Sequence, residues 1–530
     1  MDPVRVRFVQ GSDLRLRVIE QGDPDAPAVL LVHGYPDDSG VWDGVADELS
    51  SRFRVVRFDV RGHGGSDEPT DGYGLDLLAA DIAAVARSTG EERVHLVGHD
   101  WGSVQSWRAA SLHPELFATF TSISGPDLGH LADWVGRNRH APWRVLRLLA
   151  PSWYIACFKV PKIPELLWST PAVLRAFHAS RRNAVNGLEL YRANVGHAPQ
   201  PRKVAVPVQQ IALQHDPYVT AQHLAAAEPW AENLTRRPLF AGHWAPRTHP
   251  EHVARMIAEF AERRPSRREL VVVTGAGSGI GRATAEAFAA EGAEVVSVDV
   301  DGEAAARTAA ATGGHAHQVD VTDAAAVGRL AEKIVDEHGV PDVVMANAGI
   351  AVAGPFLDTG EEDWRRVVDV NLWGVVHTLR AFAPHLVNRG EGGRLVVTSS
   401  LAGYFPTAAL PAYSATKAAV LSLGQSLDIE LKKTGVGVTV VCPGVVHTNI
   451  TRVATFAGLD AREQERQRAS MTRWYRLRSF GPEKVAREVV AAVRAGRLIV
   501  PVTAEAKLVR VLNRVAPSLV GKLGRIRVPG

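Results

Sequence analysis

The sequence predicts an α/β protein made of two successive parallel-sheet units, and three observations carry that reading. Short apolar runs alternate with helix-like stretches along most of the chain, the pattern that places helices against a mostly parallel sheet. Two glycine-bearing strand-to-helix turns, Val97-Gly98-His99-Asp100-Trp101-Gly102 and Thr274-Gly275-Ala276-Gly277-Ser278-Gly279-Ile280-Gly281, each end such a run. The length, 530 residues, exceeds what one hydrophobic core usually organises.

Composition narrows the classes. Hydrophobic residues at 46% and charged residues at 22% are ordinary for a globular protein. A formal net charge of +3 supplies no global basic field, so nucleic acid is not an expected partner. Cys157 and Cys442 are far apart and no long apolar core opens the chain, so a reducing cytoplasm is the expected compartment. No apolar run approaches the roughly 20 residues of a membrane span.

The first unit begins with a hairpin, Val4 to Phe8 and Leu14 to Val18 around Gly11-Ser12-Asp13. Ala28 to Val32 reads as a buried strand ending in His33-Gly34-Tyr35-Pro36-Asp37, a turn able to aim a backbone N–H into a site. Phe53 to Phe58 runs into Asp59 to Ser66, and Val94 to Val97 leads to the elbow at Asp100. Glycines two positions either side of Asp100 let the chain turn sharply and lift one side chain at the top of the sheet. A serine attacking saturated carbon would leave a stable ether, whereas a carboxylate leaves an ester that water can open. The elbow therefore points to displacement at saturated carbon.

After the strand Phe117 to Ser124, residues Asp127 to Arg202 carry Trp, Arg and Leu at helical spacing and no convincing strand, as an inserted helical cap would. The sheet resumes at Val206 to Leu213, followed by Gln214-His215-Asp216-Pro217, and at Arg237 to Phe240, followed by Gly242-His243-Trp244. Asp100, Asp216 and His243 then stand in the chain order nucleophile, acid, base, with Asp127 a rival position for the acid.

These stretches, with Arg61 to Ser66 and Trp107, resemble the α/β-hydrolase fold and, within it, the epoxide hydrolases, over residues 1 to about 262. Trp153-Tyr154-Ile155 and Tyr191-Arg192 resemble the places where that family keeps two lid tyrosines. The resemblance implies that Asp100 opens an epoxide while Tyr154 and Tyr191 hydrogen-bond the departing oxygen. His243, oriented by Asp216, would then activate water, with the N–H groups of Trp101 and Tyr35 holding the oxyanion. No cofactor is expected for this unit. Ala245-Pro246-Arg247-Thr248 departs from the family's usual ending and puts the loop geometry in question. A haloalkane dehalogenase, which also uses an Asp-Trp elbow, is the alternative chemistry. The cap's apolar stock, Trp143, Leu146, Leu149, Leu166 and Trp168, implies a hydrophobic or lipid-like substrate.

Residues 263–268 are basic and contain Pro265, as expected of a solvated linker. Leu270 to Val273 then begins a strand that ends in the second glycine turn, followed by a helix from Arg282 to Glu291 and a strand from Glu294 to Val298 closed by Asp299. Strand before, helix after and a carboxylate at the next strand end together read as a dinucleotide site: a diphosphate at the helix start, bounded by Gly275, Ser278, Gly279, Ile280 and Gly281. Asp299 should accept from the ribose hydroxyls and repel a 2′-phosphate, which favours NAD over NADP. Asp320 and Val321 are placed at the adenine, and Asn347, Ala348 and Gly349 beside the cofactor.

Tyr413-Ser414-Ala415-Thr416-Lys417 puts a phenol and an ammonium on one helix face, where the cation favours phenolate. With Ser400 after the strand Arg394 to Thr398, Asn371, Pro443-Gly444 and Thr448, residues 269 to about 500 resemble the short-chain dehydrogenase/reductase family. The resemblance implies a Rossmann-type doubly wound sheet. It gives Tyr413 the proton exchange, Ser400 the substrate oxygen, Lys417 the nicotinamide ribose, Asn371 a proton relay and Thr448 the carboxamide. A homo-oligomer through this domain is also expected.

The tail, Ala506 to Val528, mixes Leu508, Leu512, Val515 and Leu519 with Lys507, Arg510, Arg514, Lys522, Arg525 and Arg527. It reads either as a helix packed on its own domain or a partner subunit, or as a peripheral membrane contact. The whole chain resembles the actinobacterial fusion of an epoxide hydrolase with a short-chain dehydrogenase, and so a bifunctional enzyme. The alternative class makes one half a non-catalytic lipid-binding or scaffolding module.

Overall fold

The computed structural model describes residues 4–69, 72–262, 268–405, 407–444, 446, 455–457, 459–460, 462–467 and 480–515. The chain divides into two compact units, Met1–Pro265 and Ser266–Gly530. Residues 263–267 of the linker, Thr448 and the tail from 516 lie outside the described residues.

The first unit is an eight-stranded sheet of β1 (Arg5–Gln10), β2 (Arg15–Gln21), β3 (Ala28–Val32), β4 (Arg54–Phe58), β5 (Val94–His99), β6 (Phe117–Ile123), β7 (Val208–Leu213) and β8 (Leu234–Leu239). Its order is β1-β2-β4-β3-β5-β6-β7-β8. The β1–β2 and β2–β4 pairs are antiparallel, and every later pair is parallel. β3 and β7 are buried along their whole length, as strands covered on both faces must be. One core holds Leu30, Phe58, Leu96, Trp107 and Phe120, and the other holds Leu31, Trp42, Val97 and Ile257.

The Asp59 to Ser66 stretch ties loops together. Arg61 is fully buried; its Nε donates to Asp81 at 2.8 Å and its Nη2 to Asp13 at 2.9 Å. Loss of either partner would leave a buried cation only partly paired. Between β6 and β7 lies the expected cap, seven helices from Leu128–Arg137 to Leu188–Asn194. It meets the carboxyl end of the sheet through an aromatic cluster of Tyr35, Tyr73, Trp101, Trp168 and Tyr191.

The second unit is a seven-stranded parallel sheet in the order β11-β10-β9-β12-β14-β15-β17. Its strands are β9 (Leu270–Thr274), β10 (Glu294–Asp299), β11 (His315–Gln318), β12 (Val343–Ala346), β14 (Gly393–Thr398), β15 (Val436–Cys442) and β17 (Ile499–Pro501). A short parallel pair, β13 (Val352–Ala353) with β16 (Thr455–Phe456), stands apart from it. Strand order reverses beside β9, so the carboxyl ends of β9 and β12 flank the crevice where a doubly wound sheet takes its ligand. The helix after β9 runs Gly279–Ala290, starting inside the glycine turn rather than at Arg282 as expected. No described helix is long and apolar enough to cross a membrane.

The last described helix, Ala504–Val515, buries Ala506 but exposes Leu508, Val511 and Val515. Val509 and Leu512 on the same helix are half-buried.

Candidate active sites

Asp100 sits between β5 and the helix Trp101–Leu112 with φ of 51°, a left-handed conformation that costs a non-glycine residue about 1–3 kcal/mol. Close packing enforces the turn. A Cβ at Gly98 would fall 2.5 Å from the Gly102 carbonyl, and one at Gly102 would fall 2.1 Å from the Val32 carbonyl. The lifted carboxylate is already held: the Tyr35 N–H donates to its Oδ1 at 2.8 Å. Trp101 opens the helix, so its N–H is among the first four that lack an intrahelical acceptor.

His243 joins Asp100 to Asp216. Its Nε2 lies 3.5 Å from Asp100 Oδ2 and its Nδ1 lies 2.9 Å from Asp216 Oδ2. Burial favours the neutral ring, but hydrogen bonds to Asp100 and Asp216 outweigh it and push the His243 pKa up to about 10. Burial also opposes the charge on Asp216. The His243 hydrogen bond and charge, together with Ser124 and the Tyr218 N–H, nevertheless hold its carboxyl below the usual range. The rival acid, Asp127, instead caps the helix Leu128–Arg137, accepting from the His130 N–H at 2.7 Å.

Three residues of this site were not singled out from sequence. Ser124, with φ of 52°, donates to Asp216 and lies 3.0 Å from His243 Nδ1. Tyr218 gives its N–H to Asp216 Oδ1 at 2.8 Å and packs its ring 5.0 Å from that of His243. His99 donates from Nε2 to the His243 carbonyl at 2.8 Å, and burial lowers its pKa to about 4, so it stays neutral. Their positions offered a signal: Ser124 ends the strand beside the elbow, and Tyr218 follows Asp216-Pro217.

The cap brings both expected tyrosines over the elbow. The Tyr191 ring lies 5.0 Å from Trp101 and 5.3 Å from Tyr35, and the Tyr154 ring lies 6.2 Å from Tyr191 and 5.5 Å from Tyr218. Burial first, then the charge of Asp100 and neighbouring phenols, raises both tyrosines well above their ordinary pKa, so both keep their protons at neutral pH. Tyr35 links the layers, its hydroxyl donating to the cap carbonyl of Ala184 at 2.9 Å. The unusual stretch after Trp244 has a structural use: Arg247 and Trp244 both donate to the buried Asp37, at 2.6 and 3.0 Å. The cap's apolar stock requires a correction, because Trp143, Leu146, Leu149 and Leu166 are exposed and only Trp168 turns inward.

In the second unit the glycine turn forms a cradle at a helix start. Gly275 has φ of +66°, and a Cβ there would lie 2.8 Å from Ala348 Cα. A Cβ at Gly277 would lie 2.8 Å from Asp299 Oδ2, and one at Gly281 would meet the Gly275 carbonyl at 2.1 Å. Asp299 accepts from the Gly277 N–H at 2.8 Å, which fixes the loop from the next strand end. Ser278, in extended conformation and with no capping hydrogen bond made by its side chain, stands just before the helix that Gly279 opens, and Ile280 packs against the core. The N–H groups of the first turn of the Gly279–Ala290 helix, which lack intrahelical acceptors, fit a diphosphate.

The other expected cofactor residues border the same strand ends. Asn347 donates to the Thr274 and Gly275 carbonyls at 3.1 and 3.3 Å and accepts from Thr398 at 3.1 Å, so Thr274 and Thr398 join the site unanticipated. Asp320 accepts from Thr322, while Val321 is buried against Gly374. Pro443 accepts from the Leu401 N–H at 2.7 Å, and a Cβ at Gly444 would strike Thr503.

Tyr413 and Lys417 share a face of the helix Pro411–Leu431, with the Lys417 Nζ 5.6 Å from the Tyr413 ring centroid. Lys417 is buried and donates to the Thr398 carbonyl at 2.9 Å; burial pushes its pKa down to about 8. Asn371 lies in a turn of π-helix, Asp369–Trp373, a form often found at functional sites. It binds both backbone groups of Ile350, at 2.8 and 2.9 Å, and reaches Thr416 at 3.3 Å. Ser400 starts a short 3-10 turn, accepting from the Ala402 N–H. At Gly349 a Cβ would lie 3.3 Å from Asn371 Oδ1 and 3.4 Å from Lys417 Nζ, so Asn371, Lys417 and the β12 strand end are drawn together.

The model of the short chain dehydrogenase family matches residues 269–456, and that of the alpha/beta hydrolase fold matches residues 27–153. Among solved structures the chain is similar to a short chain dehydrogenase/reductase from Burkholderia phymatum in complex with NAD, with 31% identity, a TM-score of 0.45, and 50% of this chain and 98% of that one covered. It is also similar to a variant epoxide hydrolase from Bacillus megaterium complexed with its diol product, with 21% identity, a TM-score of 0.42, and 49% and 100% covered. The probable oxidoreductase EphD of Mycobacterium tuberculosis is 40% identical, with 98% of each chain covered. Matched across both units, the chain belongs to the EphD family, in which an α/β-hydrolase-fold domain precedes a short-chain dehydrogenase domain.

Proposed function

We propose that the first domain hydrolyses epoxides to vicinal diols and that the second interconverts alcohols and carbonyls with NAD. The observation that carries the first half is a nucleophile-elbow carboxylate, Asp100, contacted by a His243–Asp216 pair beneath two neutral phenols. Asp100 Oδ2 attacks an epoxide carbon while Tyr154 and Tyr191 donate to the departing oxygen, leaving an alkyl ester on the enzyme. Ester formation removes the Asp100 charge and with it the first of the interactions that raise the His243 pKa. The ring then becomes a stronger candidate to lose its proton and act as base toward water. Oδ1, already bound by the Tyr35 N–H, is the atom that becomes the oxyanion. The aromatic wall of Trp101, Phe158, Trp168 and Tyr191 favours an apolar substituent on the epoxide.

In the second domain NAD, when bound, supplies the hydride acceptor or donor. Tyr413 moves the proton of the alcohol or carbonyl, and Ser400 orients that oxygen. Lys417, mostly protonated at neutral pH, keeps a cation beside the phenol. Asp299, at the end of β10, supports NAD over NADP through its negative charge. The test incubates the protein with a hydrophobic epoxide, with and without NAD, and identifies products by mass. A diol in both samples supports the first activity, and its absence from both removes that reading.

A further inference from the structure

We propose that the outer face of the cap is a docking surface for an anionic lipid bilayer. From Trp134 to Pro164 the chain contains no Asp or Glu, yet it carries Arg137, Arg139, Arg144, Arg147, Lys159 and Lys162. Arg137 pairs with Asp133, while Arg139, Arg144, Arg147 and Lys162 are exposed with no acidic partner among the described residues. Interleaved with these cations are large apolar side chains turned to solvent: Trp143 is 68% exposed, Leu146 70%, Trp153 71% and Leu166 74%. Leu149, Val160, Ile163 and Leu167 extend the same surface chemistry. Elsewhere in the first unit, the described large apolar side chains left exposed are only Val4, Val6, Phe8 and Leu77.

The helix Pro142–Leu149 is built for an interface. Leu148 faces inward and is buried. Trp143, Leu146 and Leu149 occupy one arc of about 120° on its surface, and Arg144 and Arg147 lie on the flank of that arc. This is the arrangement of a helix lying in the plane of a membrane surface, with aliphatic and indole groups sunk among the acyl chains and arginines reaching the headgroups. The excess of cations from Trp134 to Pro164 selects a negatively charged surface, and the adjoining carboxylate, Glu165, is already paired with Arg192 at 2.7 Å. Trp153 immediately precedes Tyr154, so the docking face lies one residue from a side chain that packs over the elbow.

Vesicle binding requires no turnover, so its outcome is independent of the epoxide reading. The full chain is floated with vesicles of equal parts phosphatidylglycerol and phosphatidylcholine, and with phosphatidylcholine alone. The proposal expects binding to the anionic vesicles, weaker binding to the neutral ones, and loss of bound protein as salt rises. Trp143→Ser combined with Leu146→Ser should lower the partition coefficient at least about tenfold, as should Arg144→Glu combined with Arg147→Glu. All four positions are exposed, so the thermal midpoint should not move and a folding defect would show as a shift.

Wild-type protein that stays unbound overturns the proposal, as do folded cap variants that bind like wild type. So does a wild-type dimer that the Trp143→Ser/Leu146→Ser pair converts to monomer without affecting vesicle binding, because the face then belongs to a second copy. Loss of binding only when the chain is ended after Val515 transfers the contact to the tail and also overturns it.

Discussion

The Nε2 of His243 lies 3.5 Å from Oδ2 of Asp100, the carboxylate at the elbow. With Asp216 on its other nitrogen, the imidazole is held as a cation between two acids, its pKa raised from 6.5 to about 10. A histidine pKa raised on folding adds stability that is complete below the unfolded value and is lost as pH rises through the folded one. The His243 contribution should therefore be present below about pH 6.5 and fade toward pH 10. Thermal midpoints measured across that window should fall less steeply for His243→Gln than for wild type. The difference between the two proteins isolates His243 from Lys417, which titrates in the same range. Parallel curves would show that the pair does not form.

The two lid tyrosines should act on ester formation and not on ester hydrolysis. Tyr154→Phe and Tyr191→Phe should each slow the first step by about tenfold to a hundredfold, with the double variant slower still. Rapid-quench measurement of enzyme-bound product separates the steps. Equal slowing of both steps by either variant would assign that tyrosine to cap packing, which its ring contacts with Phe158 would also explain.

How much of this was legible in the sequence follows from the range of each constraint. The elbow, the second glycine turn and the Tyr413–Lys417 pair are local: a backbone that must turn sharply, or a helix that must present two groups, writes its requirement into consecutive residues. Both sheets were legible for the same reason, since strands buried on both faces read as apolar runs. Ser124, Tyr218 and the Asp37–Arg247 contact were not, because each depends on loops from distant strands meeting at one sheet edge. The cap shows a different limit. Helical spacing marked the cap and its apolar stock, Trp143 and Leu146 among it, but an amphipathic pattern does not state whether such residues face the fold or the outside.

The second site should respond independently of the first. Tyr413→Phe should lower NAD-linked alcohol oxidation by about a hundredfold to ten-thousandfold and leave epoxide hydrolysis unchanged. Asp299→Ala should weaken NAD binding and narrow its advantage over NADP, read as the ratio of kcat/KM for the two cofactors. It also removes the acceptor of the Gly277 N–H, so an equal drop in kcat/KM with NAD and with NADP, leaving the preference unchanged, would assign Asp299 to loop support alone.

In the proposed reaction of the first domain, Asp100 itself bonds to the substrate. A single turnover with enzyme in excess over epoxide, run in heavy-oxygen water, tests it directly. The first-turnover diol should be free of heavy oxygen, with the label in the peptide containing Asp100, because the diol takes its new oxygen from the carboxylate and water replaces it there. Heavy oxygen in the first-turnover diol, with none in that peptide, would mean that water attacks the epoxide directly and would contradict the account.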